Sequence, residues 1–205
     1  MGFYAKYVMP RAAHFICSTK RFRQQREKVV PLAEGRVLEV GIGSGLNLPF
    51  YAAGKVQHLW GLDPSKELWA LAQQAVAQAR FDVEFIEAAA EEIPLDNGSV
   101  DTILVTYALC SIPEILPALG EMRRVLKQGG QLIFCEHGTA PEAAVRRWQN
   151  RLNPIWKRVS GGCNLNLPVP SLLQQAGFRI RAMDTMYIPG WKPACFNYRG
   201  TAISP

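Results

Sequence analysis

Glu39-Val40-Gly41-Ile42-Gly43-Ser44-Gly45 is the segment with the clearest chemical content. Three glycines at alternate positions, directly after the short strand-like run Val37–Val40, let a backbone turn sharply and approach a ligand. A dinucleotide-binding turn reads GxGxxG and lays a pyrophosphate on a helix N-terminus. Here the third glycine comes one residue early, and Leu46 stands where that pattern has glycine. Glu39 precedes the glycines. A carboxylate there repels pyrophosphate but pairs with an ammonium. That charge balance favours S-adenosylmethionine, with its ammonium and sulfonium and no phosphate, over NAD; the product would be S-adenosylhomocysteine. Asp63, ending the next apolar run, is spaced to accept hydrogen bonds from ribose hydroxyls, which both cofactors carry. Without a ligand, the same residues read as a tight strand-to-helix turn and a helix N-cap or turn before Pro64.

Further along, small Ala89-Ala90 leave room for an adenine ring beside Glu91; the plainer reading is a helix start with Glu91-Glu92 near its N-terminus. Thr106 to Ser111 end a fourth apolar run and belong near the transferred methyl group. His137, after the fifth, is the candidate general base, with Glu136 to position it; it also reads as a hydrogen-bonded loop support. Cys110 either lines the pocket or is plain core. The five cysteines are scattered and form no CxxC pair. Reduced thiols are expected, with no zinc site and no disulfide framework.

These positions need a frame. Val37–Val40, His58–Leu62, Val83–Ile86, Asp101–Thr106 and Gln131–Cys135 read as strands alternating with helices at Glu67–Ala79 and Ile115–Leu126. That pattern implies a doubly wound, mostly parallel, Rossmann-like α/β sheet. Val145–Val159 reads as a helix interrupted at Pro154. Ser171–Ala176 is a short helix capped by Gly177. Phe178–Met186 and Asn197–Ile203 bring the sheet to seven strands, the last antiparallel. A single domain is expected: a helical lid over 1–34, a cofactor-binding core over 35–140, and a substrate-side cover over 141–205.

The 205 residues carry a net charge of +6. Both ends are basic and the middle is acidic. Basic ends with Trp148, Ile155 and Trp156 suit an anionic membrane surface or a lid over a lipophilic substrate. They also suit solvated helices, or a nucleic-acid binder if the ends merged on one face. With no secretory signal and no spanning run, a cytoplasmic protein is expected, peripheral on the inner membrane face if the ends dock.

The series EVGIGSG, LDPS, AAAEEIPLDNGSVDTILVTYALCSI and EMRRVLKQGGQLIFCEH resembles the class I methyltransferases, most of all the ubiquinone/menaquinone-biosynthesis branch. Asn47-Leu48-Pro49-Phe50-Tyr51, Leu109-Cys110-Ser111, Glu136-His137, Gly162-Cys163 and Ala176-Gly177-Phe178 are similar to the methyltransferase-like seven group of thiol methyltransferases. Small bacterial relatives of that group are often labelled phospholipid methyltransferases. Asn164–Pro170 departs from the group's charged, Thr-containing helix start. Ala89 stands where the wider class often has Asp.

The resemblance implies that Gly41, Gly43 and Gly45 line the methionine part and that Glu39 orders the turn or reaches the ammonium. Asp63 would take the ribose with Pro64 nearby, Ala90 and Glu91 would flank adenine, and Thr106 would approach the methionine end. Tyr4, Tyr7, Asn47, Leu109, Cys110, Trp148 and Cys163 would form the substrate pocket. The expected acceptor is a small, lipophilic thiol or similar soft nucleophile. Phosphatidylethanolamine is the same-class alternative; a nicotinamide oxidoreductase is the different-class one.

Overall fold

A computed structural model describes residues 9–205, and side chains from Arg11 onward. Tyr4 and Tyr7 lie outside the described residues. Seven strands form one sheet: β1 (Gly35–Val40), β2 (Val56–Leu62), β3 (Asp82–Ile86), β4 (Val100–Thr106), β5 (Leu126–His137), β6 (Arg179–Tyr187) and β7 (Phe196–Ile203). Their spatial order is β3-β2-β1-β4-β5-β7-β6. The first five run parallel, and β7 pairs antiparallel with both β5 and β6.

Alternation along the strands divides the core. Val37, Leu59, Leu104 and Ile133 face one side, where they meet Val29, Val30 and Tyr51. Leu38, Trp60, Ile103 and Leu132 face the other. There they meet Leu119 and Met122 of α5 (Ile115–Val125) and Leu173 of α7 (Val169–Gln175). A sheet covered on both faces needs apolar residues at successive strand positions, as Val37-Leu38 supply. The chain leaves β1 to β2 on one side and β4 lies on the other. Strand order therefore reverses at the carboxyl end of β1, and a crevice opens there.

Two helices, α1 (Met9–Cys17) and α2 (Lys20–Val29), precede the sheet. The helix expected over Glu67–Ala79 is two short ones, α3 (Lys66–Trp69) and α4 (Gln73–Ala77). Leu71 N–H bonds to Leu68 and Ala72 N–H to Trp69, tightening the junction. Fully buried Ala72 is thereby held against the Gly45 turn, and Trp69 stacks on Phe85 at 4.6 Å. Tertiary packing overrides the helix preference of the alanines here. α5 passes directly into β5, and Gly129-Gly130 lie in an irregular stretch of that strand.

The expected interruption at Pro154 is also absent. α6 (Ala143–Val159) runs straight through it. Proline removes one helical hydrogen bond, and bonds from the inward face hold the helix in place. Gln149 Nε2 shares its two hydrogens among the carbonyls of Gly138, Leu165 and Pro193, while its Oε1 accepts from Ala140 N–H. Asn153 Oδ1 accepts from Leu165 N–H. Among the described residues, no helix is long and apolar enough to cross a membrane.

Candidate functional site

A cavity of about 500 Å³ occupies the crevice at the carboxyl ends of β1, β2 and β4. Glu39, Gly41, Gly43, Asn47, Asp63, Pro64 and Thr106 all border it. The glycine turn explains how the backbone comes so close. Gly41 has φ +76°, and a Cβ there would collide with the side chain of Ala108. Gly43 has space for a Cβ but keeps φ +52°, which directs its N–H to Asp63 Oδ2 at 3.0 Å. Asp63 Oδ1 accepts from Ser65 N–H at 2.8 Å. Burial raises the Asp63 pKa, against the lowering effect of those two amides.

Glu39 is buried, and both its oxygens are used. Oε1 accepts from Asn47 Nδ2 at 2.8 Å and Oε2 from the Tyr51 hydroxyl at 2.7 Å. Asn47 Nδ2 donates its second hydrogen to Thr106 Oγ1 at 2.9 Å. Asn47 Oδ1 is then a buried acceptor with no partner among the described residues. Burial pushes the Glu39 carboxyl up from 4.5 to about 7, against the bonds from Tyr51 and Asn47 and the charge of Arg26. An unpartnered acceptor beside a buried carboxylate is an arrangement that takes a cationic N–H donor.

Arg26 supplies the opposite charge. It is 5% exposed and borders the cavity. One guanidinium nitrogen donates to Cys17 O at 2.6 Å, and the group lies over the Tyr107 ring. Its Nε has no partner among the described residues. Sequence reasoning missed Arg26 because α2 is crowded with cations. The available signal was spacing: Phe22, Arg26 and Val29 share one helical face. Phe22 meets Tyr107 edge-on at 4.7 Å, and Val29 enters the core. His14, bonded to Ser44 Oγ at 2.8 Å, also borders the cavity.

The other proposed site residues lie elsewhere. Gly45, although at φ +71°, faces Leu48 and Ala72 and closes the turn from behind. Ala90 belongs to the core, and Glu91 accepts the N–H of Glu114. Leu109 and Cys110 are buried behind the cavity wall formed by Ser111. Trp148 is 56% exposed, because α6 turns the adjacent Gln149 inward. Glu136 does not position His137 by a hydrogen bond; its Oε1 accepts the N–H groups of Ala108 and Leu109. Those two bonds hold the turn where Tyr107 adopts φ +55°, a strained value for a non-glycine residue.

His137 is not among the residues bordering the cavity; its Nε2 lies 3.1 Å from Cys163 Sγ. The Cys163 thiol is held well below its ordinary range, first by hydrogen bonding with Cys110 and then with His137. Burial lowers the His137 pKa, but the bond to Cys163 and the negative charges of Cys163 and Glu136 together outweigh it and raise it.

Residues 38–134 match a family model described as a methyltransferase domain. Human thiol S-methyltransferase TMT1B is 31% identical over 98% of this chain and 86% of its own. A phosphatidylethanolamine N-methyltransferase from Cereibacter sphaeroides is 32% identical over 58% of this chain and 62% of its own. A SAM-dependent methyltransferase structure from Thermotoga maritima superposes with a TM-score of 0.69 at 21% identity, covering 98% of both chains.

Proposed function

Because the chain belongs to the class I S-adenosylmethionine-dependent methyltransferases, we propose that it transfers the methyl group to a small, lipophilic thiol or comparable soft nucleophile. The observation that carries this reading is the extent of the likeness to the thiol methyltransferase. That likeness covers 98% of the chain, so it includes the helices before the sheet and the cover after β5. These are the segments that close the crevice, with Cys17 and Arg26 on one side and Ser160-Gly161 on the other. The likeness to the phospholipid enzyme spans 58% of the chain.

The residues present fit the cofactor. Asp63 would accept the ribose hydroxyls. Glu39 and the free Asn47 Oδ1 would hold the ammonium, and Arg26 the carboxylate. S-adenosylmethionine bound there supplies an electrophilic methyl on a sulfonium. The protein's remaining work is to exclude water and align the nucleophile, worth up to roughly 7–11 kcal/mol. A thiol with an ordinary pKa of about 8.5 needs little further help to ionise. His137 was the expected base, but no proton is routed through it here, since its ring is turned to Cys163.

Purified protein supplied with methyl-labelled cofactor, a panel of alkyl and aryl thiols, and phosphatidylethanolamine vesicles tests the assignment. S-methylated products are expected. Labelled lipid with no labelled thiol would replace this reading with the lipid-amine one. A specific feature favours that second reading: Trp148, Ile155 and Val159 on α6 are each more than half exposed beside Arg147, Arg151 and Arg158. Such a face suits an interface with anionic lipid.

The charges of Arg26 and Glu39 set both the affinity for the cofactor and its pH dependence. Arg26→Leu lowers affinity for S-adenosylmethionine about 10- to 100-fold, the loss of one charge-assisted hydrogen-bonded pair. Affinity for 5′-methylthioadenosine, which lacks the amino-acid part, stays within a few-fold by titration calorimetry.

Between 4.5 and about 7, Glu39 is protonated in the empty native site and ionised in the unfolded chain. The native state binds the extra proton, so Glu39's contribution makes the empty protein lose stability as pH rises through that window. An ammonium beside Glu39 favours the ionised form. Cofactor binding therefore releases a proton, and affinity rises with pH up to about 7. Calorimetry in buffers of different ionisation enthalpy counts that proton, and Glu39→Gln abolishes its release.

A further inference from the structure

Cys110, His137 and Cys163 come from three separate parts of the chain: the turn after β4, the end of β5 and the loop after α6. Their Sγ, Nε2 and Sγ atoms all lie within 4.8 Å of one another. The juxtaposition is fixed by Asn164, whose backbone N–H and Nδ2 both donate to the Cys110 carbonyl, at 2.8 and 3.0 Å. This clamp draws the loop carrying Cys163 against the turn carrying Cys110. We propose that Cys110, His137 and Cys163 form a binding site for a thiophilic divalent cation of the zinc type.

The donor set is soft and nitrogen/sulfur only, which selects zinc-like ions over magnesium or calcium. Two thiolates and one imidazole also leave a fourth tetrahedral position for water or an incoming thiolate. Ligand bonds of about 2.0 Å to nitrogen and 2.3 Å to sulfur put tetrahedral edges at roughly 3.5 Å for N···S and 3.8 Å for S···S. His137 Nε2 and Cys163 Sγ, 3.1 Å apart, are already near that edge length, and all three atoms fall within a side-chain adjustment of it.

Trp156 Nε1 lies 3.5 Å from Cys163 Sγ and supplies an N–H to a thiolate there. Glu136 Oε2 and His137 Nδ1 are buried without a partner among the described residues. The polar atoms around the trio are therefore not saturated by protein groups alone. Ser111 and Gly161, near Cys110 and Cys163 along the chain, border the cavity, so the trio lies directly behind its wall. The spacing of the cysteines in sequence gave no sign of this, as no two are close enough to form a recognisable ligand pair.

This site stands apart from the methyl-transfer reading and is tested without it. Fully reduced, full-length protein is titrated with Co²⁺ and then with Zn²⁺. The expected result is one equivalent of cobalt, a near-ultraviolet thiolate-to-cobalt charge-transfer band, and its loss on adding zinc. Cys110→Ser and Cys163→Ser should each remove about half of that band. His137→Ala should weaken binding at least about 10-fold. Cys195→Ser, whose thiol is not part of the trio, should change neither. Alkylation mapped by mass spectrometry covers any variant that fails to fold: zinc should protect Cys163 of the wild-type chain, the partly exposed thiol of the trio. No stoichiometric band in the reduced wild-type protein overturns the proposal. So does a band that survives loss of both cysteines, or equal alkylation with and without zinc.

Discussion

Asp63→Ala weakens binding of S-adenosylmethionine by at least about 100-fold while the protein remains folded. Asp63 ends β2, where its carboxylate receives the N–H groups of Gly43 and Ser65. A carboxylate offers about four lone-pair sites, so two remain for vicinal ribose hydroxyls. Each charge-assisted bond contributes about 1.5–3 kcal/mol net, and losing two corresponds to a factor of 100 or more. The substitution also removes the acceptor that fixes the Gly43 amide, so the turn is less ordered before ligand arrives. Asp63→Asn is the informative companion. It keeps the volume but presents an NH₂ group to one of two backbone donors, so it too should bind poorly. Calorimetry measures the affinity and a thermal melt checks the fold. Binding of Asp63→Ala within three-fold of wild type removes Asp63 from the ribose site.

The position of Asp63 at the cavity was legible because strand end, glycine turn and acidic residue follow one another at a spacing that an open α/β sheet dictates. The strands were legible for a related reason. Burial on both faces makes them short, continuous apolar runs such as Ile103-Leu104-Val105, and glycines or prolines bound them. What was not legible depends on tertiary partners. Ala-rich composition over Glu67–Ala79 favours one helix, yet contact with the Gly45 turn divides it. Arg26 looks like every other cation of α2 until Tyr107 and the buried carboxylates are opposite it. Gly45 fits the ligand-binding pattern by type, but its φ serves the rear of the turn. His137 was placed at the correct end of β5, and only the path of the loop after α6 shows that a cysteine, rather than the cavity, is its neighbour.

Gln149 and Trp148 show the same limit most plainly, and they carry the largest stability prediction. Side-chain polarity suggests Trp148 inside and Gln149 outside; the fold has Gln149 fully buried and Trp148 56% exposed. The reason is backbone accounting. The loop after β5, the loop before α7 and the turn before β7 meet beneath α6 and leave the carbonyls of Gly138, Leu165 and Pro193 and the N–H of Ala140 without other described partners in that layer. Only an amide side chain offers both donors and an acceptor there.

Gln149→Leu keeps the volume and strands these groups. Each orphan costs about 1–3 kcal/mol, and with partial relaxation the net loss is about 3–5 kcal/mol. At about 2–4 °C per kcal/mol for a chain of this size, the melting temperature falls by roughly 10 °C. Because Ser160-Gly161 at the end of α6 border the cavity while Asp63 and Glu39 stand on β2 and β1, the loosened cover should raise the acceptor KM. Cofactor affinity should stay within a few-fold. Calorimetric melting and cofactor titration on one preparation separate the two effects. Unchanged melting would mean that water replaces the amide at no cost, and that α6 is held by its apolar contacts instead.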